Sequence, residues 1–264
     1  MKQKNDAKLS YRAKKSLGQN FLMHRATAER IVQGAKLPPH ARVLEIGPGR
    51  GLLTRALLDA GHLVTAVEAD AELIPFLKEQ FEEEERLTLV HEDIRSFKLE
   101  TLKNPYFVVA NIPYYITGEI IRHILTTPNK PASVTLLVQK EVAERIARSR
   151  KESILSLSVK VFGTPKVCFT VPRGAFVPAP KVDSAVLHIS DIRAPFKKGA
   201  QEQGFFEIVH AGFAHKRKQL AKNLEAVSTP EKIRAAFAKL QIPPQSRAED
   251  VPLTSWLALT QNLT

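Results

Sequence analysis

The stretch Asn111-Ile112-Pro113-Tyr114-Tyr115 is the most informative in the chain. A purine's exocyclic amine is a weak nucleophile, because its lone pair is delocalised into the ring. Two acceptors placed on its hydrogens draw the nitrogen toward tetrahedral geometry and release that lone pair. The Asn111 side-chain oxygen and the Ile112 backbone carbonyl can serve as the two acceptors. Pro113 fixes its own φ and biases the residue before it toward an extended conformation. Tyr114 then offers a ring on which a base can stack. Such a site needs no covalent nucleophile, since orientation and electrostatic placement lower the barrier. Read alone, the tetrapeptide is equally a strand end followed by a Pro-Tyr turn, so the decision falls to its surroundings.

Those surroundings include Val43-Leu44-Glu45-Ile46-Gly47-Pro48-Gly49-Arg50-Gly51, a strand-like run that ends in glycines and opens a helix. Glycines let a backbone approach a ligand where a Cβ would clash. The spacing is G-x-G-x-G, whereas dinucleotide enzymes seat a pyrophosphate with G-x-G-x-x-G. An acid at Glu45, two residues before the first glycine, suits a zwitterionic amino-acid tail beside a sulfonium better than a dianionic phosphate. A plain strand–helix turn is the bland alternative. Two further acids, Glu68 and Asp93, fall at successive strand ends: Glu68 to accept ribose hydroxyls, Asp93 to accept from an adenine amine. A base inside a duplex cannot reach such a pocket, so the target must be single-stranded or flipped out. Phe176, ahead of the turn Val177-Pro178-Ala179-Pro180-Lys181, is read as a second aromatic face for that base. Lys181 is read as a phosphate contact.

These residues need a frame, and the apolar pattern supplies one. Helix-like and strand-like segments alternate: Arg25–Ala35 (helix), Arg42–Ile46 (strand), Leu52–Ala60 (helix), Leu63–Val67 (strand), Ala71–Glu84 (helix), Leu87–His91 and Tyr106–Ala110 (strands), Gly118–Leu125 (helix) and Val134–Val138 (strand). That alternation implies an α/β fold with a parallel sheet between helices. Helices at Glu141–Arg148 and Ile154–Phe162 follow. Val167–Val171 and Ser184–Ile189 then suit an antiparallel pair at the sheet edge. Around Ser190–Gly199 the apolar pattern lapses, which divides the chain into residues 1–192 and an all-helical 193–264. The helices expected there are Gly204–Phe213, Arg217–Leu224, Pro230–Leu240 and Leu253–Asn262. Glu82–Glu85 reads as a solvated helix end.

Composition narrows the class. A formal net charge of +12 in 264 residues draws the chain to polyanions and makes such binding salt-sensitive. The first fifteen residues hold six Lys/Arg and one Asp, a basic arm with no apolar core of a secretory signal. No apolar run approaches the ~20 residues that span a bilayer, so a soluble cytoplasmic protein is expected. The single cysteine, Cys168, lies in a strand-like run and cannot form an internal disulfide. The eight histidines lack metal-ligand spacing, so no metal is expected. Neither G-x-S-x-G nor a Walker A sequence occurs.

Taken together, Lys15–Leu22 (Lys-Ser-Leu-Gly-Gln-Asn-Phe-Leu), the Glu45–Gly51 loop, Glu68, Asp93, Asn111–Tyr114, Gln139–Val142, and Phe176 with Pro178–Ser184 resemble the KsgA-type small-subunit rRNA adenine N6,N6-dimethyltransferases, and more distantly the erythromycin-resistance rRNA methyltransferases. The resemblance implies a Rossmann-like class I methyltransferase fold, a mostly parallel seven-stranded sheet flanked by helices, with a small helical C-terminal domain. It implies S-adenosylmethionine as methyl donor, bound by Asn20, Leu22, Gly47, Glu68, Asp93 and Asn111. It implies that Asn111, Tyr114 and Phe176 position the target base. It further implies action as a monomer on two adjacent adenines in the 3′-terminal hairpin of 16S rRNA, in an immature ribosomal subunit. Lys216, Arg217 and Lys218, within His215–Leu220, resemble the family's rRNA-contacting basic helix. One departure is the absence of a Tyr-Gly pair before Leu155-Ser156-Leu157-Ser158-Val159 in the loop at Arg150–Ser153. The alternatives are a resistance-type enzyme acting on large-subunit rRNA and a non-catalytic RNA-binding assembly or transcription factor on the same fold.

Overall fold

The computed structural model describes residues 13–14, 17–197 and 199–263, so the basic arm at 1–12 lies outside the described residues. Nine strands form: β1 (Phe21–Leu22), β2 (Arg42–Ile46), β3 (Leu63–Glu68), β4 (Leu87–His91), β5 (Tyr106–Asn111), β6 (Ser133–Gln139), β7 (Thr164–Val171), β8 (Phe176–Val177) and β9 (Ser184–Ser190). The helices are α1 (Arg25–Gly34), α2 (Leu52–Asp59), α3 (Leu73–Gln80), α4 (Thr117–Thr126), α5 (Lys140–Ala147), α6 (Ile154–Lys160), α7 (Gly199–Gly212), α8 (Leu220–Leu224), α9 (Pro230–Lys239) and α10 (Leu253–Leu263).

Seven strands build one sheet in the order β4-β3-β2-β5-β6-β9-β7. The first five are parallel, while β9 runs antiparallel to both neighbours and leaves β7 at the edge. The strands are apolar on both faces because both are covered. Side-chain alternation sorts them cleanly. Leu44, Val108, Leu136 and Leu187 join one buried cluster with α4, α5, α6 and the C-terminal helices. Val43, Val109, Leu137 and Val186 join a second cluster with α1, α2 and α3. The C-terminal helices continue the first cluster: Phe205 and Phe206 of α7 pack with Phe162 and Phe196. No helix among the described residues is long and apolar enough to cross a membrane.

Four segments differ from expectation, one being α7, which begins at Gly199 where the sequence pattern started a helix at Gly204. Helix α3 is shorter than Ala71–Glu84, ending before the four-glutamate run, where like charges on successive turns repel. One of those glutamates is not merely solvated: Glu84 pairs with Arg55 of α2. The helix expected from Arg217 starts only at Leu220, and Lys216, Arg217 and Lys218 occupy an exposed turn before it. Cations in a first helical turn would oppose the helix dipole, and a solvated turn avoids that cost. The small ribbon β1–β8 was not foreseen, because two-residue strands have no readable period.

Candidate active site

Chain order in the sheet reverses between β2 and β5, and a crevice at the strand C-termini is expected at that point. A cleft of about 1080 Å³, open mouth included, lies there. Its walls include Asn20, Leu22, Gly47, Glu68, Asp93, Asn111, Ile112, Pro113 and Tyr114, which brings together nine of the fourteen residues singled out in the sequence.

The glycine loop shapes one wall. Gly49 has φ +58°, and a Cβ there would come within 2.9 Å of the Phe21 ring, so the position is closed to other residues on both grounds. Gly47 is also left-handed, but a Cβ there would meet no protein atom within 4 Å; its bare face is open. Beneath the loop, Glu45 is 1% exposed and accepts a hydrogen bond from Thr54 Oγ1 at 2.7 Å. Burial pushes its carboxyl up to about 8, with the nearby Glu68 adding to the rise and the Thr54 bond opposing it. Glu45 thus ties α2 to β2 through Thr54, and burial disfavours the charge that the sequence reading assigned to it.

Glu68 closes β3 with its carboxylate held by backbone: Gly49 N–H donates to Oε2 at 3.2 Å and Asp70 N–H to Oε1 at 2.9 Å. Burial raises its pKa against the pull of those amides. Asp93, after β4, is gripped by Arg95, whose Nε and Nη2 donate to both carboxylate oxygens. That pairing holds Asp93 below the usual carboxylate range.

On the opposite wall, Asn111 ends β5. Its Nδ2 donates to the Asn20 carbonyl at 3.1 Å, so Oδ1 is the end of the amide that remains to accept from a ligand. The Tyr114 hydroxyl shares a hydrogen bond with Ser184 Oγ at 2.6 Å, which fixes the ring. Its neighbour Tyr115 lines the mouth and is 61% exposed.

Five expected residues lie elsewhere. Phe176 is 2% exposed and absent from the cleft wall. Strand pairing explains this: β8 aligns with β1, and the two-residue alternation turns Phe176 into the core and Val177 outward. Phe176 is thus packed in the core beside β1, outside the cleft wall. Lys181 borders a separate shallow groove with Lys140, Glu141, Glu144, Arg173 and Asp183. Lys216, Arg217 and Lys218 are exposed in the turn after α7, away from the cleft wall; the basic helix expected there is a basic turn.

Residues 10–264 match the family described as Ribosomal RNA adenine dimethylase. The chain belongs to the ribosomal RNA adenine dimethylase family. Among its relatives, the Ribosomal RNA small subunit methyltransferase A of Thermosynechococcus vestitus is 42% identical over 261 residues, spanning 96% of this chain and 97% of the relative. The protein of the same name from Lactococcus lactis is 39% identical over 264 residues, spanning 95% and 90%. A solved structure of the 23S rRNA methyltransferase ErmE superposes with a TM-score of 0.73 at 30% identity, covering 92% of this chain and 99% of that one. A dimethyladenosine transferase from Plasmodium falciparum superposes at 0.76 and 22% identity, over 90% and 95%, a likeness of fold.

For an adenine dimethylase, the sequence missed several supporting residues. Tyr115 was visible beside Tyr114 but had no role until its exposure was known. Ser184 ends the Pro-x-Pro-Lys-Val-Asp-Ser stretch, yet nothing in one sequence joins it to Tyr114. Arg95, two residues past Asp93, was open to reading as an acid's partner. Asp70 and Lys14, joined at 2.8 Å, carried no local signal.

Proposed function

We propose that the chain transfers methyl groups from S-adenosylmethionine to the N6 amines of two adjacent adenines in the 3′-terminal hairpin of small-subunit (16S) rRNA, within an immature subunit. The observation that carries the chemistry is the Asn111 amide, whose nitrogen is committed to the Asn20 carbonyl and whose oxygen is left as an acceptor. The names and near-complete overlap of the small-subunit relatives support the substrate.

The cleft fits the donor. Leaving aside Glu45, whose charge burial disfavours, three carboxyl groups line it (Glu68, Glu92 and Asp93) against two guanidinium groups (Arg50 and Arg95), and Arg95 already serves Asp93. That balance favours a cation over a pyrophosphate. Glu68 would take the ribose hydroxyls, Asp93 the adenine amine, and the open face of Gly47 with Asn20 and Leu22 the remaining contacts. When bound, S-adenosylmethionine supplies an electrophilic sulfonium methyl group.

The chain's own residues do the rest. Asn111 Oδ1 and the Ile112 carbonyl accept the two hydrogens of the target amine and expose its lone pair. Pro113 holds those acceptors at fixed spacing, and Tyr114, locked by Ser184, presents a flat face to the base. A second reading, methylation of large-subunit rRNA, is favoured by the full-length likeness to ErmE. Incubation with labelled donor separates the two. Label appearing as dimethyladenosine in immature small subunits supports the proposal; label confined to naked 23S rRNA supports the second reading; no label in either contradicts both.

A further inference from the structure

The segment 17–22 forms part of the cleft wall, and Lys14 lies just ahead of it in the chain. One end is held at Asp70, which is 3% exposed. Lys14 Nζ donates to Asp70 Oδ1 at 2.8 Å, and Gln19 Nε2 donates to Oδ2 at 2.8 Å. The Lys14 backbone N–H in turn donates to Gln19 Oε1 at 2.7 Å, closing a ring of bonds, and Lys14 also pairs with Glu72 at 3.0 Å. Both carboxylates hold the Lys14 ammonium firmly protonated. Such charge-assisted bonds are roughly twice as strong as neutral ones.

Two connections leave this knot. Asp70 N–H donates to Glu68, and Glu68 accepts from Gly49, so the knot continues through hydrogen bonds into the glycine loop. In the other direction, the segment reaches the base-facing wall: the Asn20 carbonyl accepts from Asn111, and Gly18, at φ +59°, lies so close to Tyr115 that a Cβ would fall 2.8 Å from its ring. Beyond Asn20 the segment is tied down by the two-residue pairing of β1 with β8, and Phe21 covers Gly49.

We propose that this segment is a strap over the methyl-donor site, latched by Lys14 and Gln19 on Asp70, and that closing the latch both retains the donor and sets the Asn111 amide with its oxygen toward the target amine. The inference rests on the reading of the cleft as the donor site. Asp70 and Lys14 are positioning residues: they act through the strap and through Glu68, without touching the reacting atoms. The arrangement makes donor retention and base activation one event, because the same short segment supplies the latch and the carbonyl that orients Asn111.

The test uses the full chain with Asp70→Asn, Lys14→Gln and Lys14→Arg. Lys14 is one-third exposed, so its replacement leaves no buried hole and decides the matter if Asp70→Asn fails to fold. Three quantities are read: amide hydrogen exchange of residues 17–22 without donor, the dissociation rate of S-adenosylmethionine, and KM and kcat for methyl transfer. Losing one charge-assisted bond should speed donor release about tenfold. Exchange in 17–22 should rise in Asp70→Asn and Lys14→Gln, KM for the donor should rise with the release rate, and kcat should fall because Asn111 loses its anchor. Lys14→Arg should restore all three. Unchanged exchange and release in both loss variants, with wild type binding the donor, overturns the latch and leaves the donor site standing. A wild-type chain that binds no donor overturns the donor site and the latch with it.

Discussion

Asn111 and the Lys216–Lys218 turn, both proposed to engage RNA, are built in opposite ways. Asn111 is half-buried and bonded to a carbonyl 91 positions away in sequence. Around it Tyr114, Ser184, Glu68 and Asp93 each have a fixed partner. The three cations sit exposed in a turn between α7 and α8. The first region is preorganised for a reaction, and its groups need not rearrange at the moment of methyl transfer. The second is a charged surface whose proposed contribution to binding would come from displacing counterions from a phosphate backbone. Changes in the first should therefore alter turnover or donor affinity, and changes in the second should alter salt dependence.

The largest effect is expected at Asn111. Asn111→Ala should lower kcat by roughly 10²–10³, the usual cost of removing one preorganised hydrogen-bonding group, while leaving donor affinity partly intact in calorimetry. Equal loss of binding and turnover would dissolve the distinction between the two walls of the cleft. Next comes Glu68→Ala, which should weaken donor binding by roughly 1.5–3 kcal/mol, the worth of hydrogen bonds to a charged group; a donor Kd matching wild type would remove Glu68 from the site. Replacing Lys216, Arg217 and Lys218 together by Ala should leave kcat on saturating RNA near wild type and reduce the slope of log affinity against log salt by about 2 for a single strand. A salt slope that does not move would mean the turn faces solvent in the complex.

The smallest and most specific effect concerns Glu45. Its folded pKa is raised to about 8 from the usual 4.5, chiefly by burial. The sign follows: its stabilising contribution is complete below about pH 4.5 and is lost as pH rises toward 8. Glu45→Gln removes that titration, so thermal melts should find the variant gaining on wild type by several degrees across this window. Parallel melting curves at all pH values would show that Glu45 keeps an ordinary carboxyl pKa in the folded chain.

Legibility in the sequence followed the same division. The sheet strands, the glycine loop and the Asn-Ile-Pro-Tyr turn could be read because local periodicity and residue type are enough to specify them. Leu44 and Val43 fall on opposite faces as alternation requires, and Glu68 and Asp93 fall at strand ends where an α/β sheet opens its crevice. The burial of Phe176 could not be read because its orientation is set by pairing with Leu22, more than 150 positions earlier, and no local pattern carries that register. The basic turn was taken for a helix because Leu220 and Leu224 have helical spacing, while the charge–dipole conflict at 216–218 decides where the helix begins. The Asp70 latch was invisible for a further reason: Lys14, Gln19 and Asp70 are ordinary surface residue types until the fold buries one of them.

The account rests on two oxygens meeting the target amine. A structure of the chain with S-adenosylhomocysteine and an RNA hairpin carrying the two adenines would measure this directly. The expected result is an adenine N6 within about 3 Å of both Asn111 Oδ1 and the Ile112 carbonyl oxygen, the distance of a good hydrogen bond, with the base against Tyr114. An adenine bound in the cleft with N6 turned away from both oxygens would contradict it.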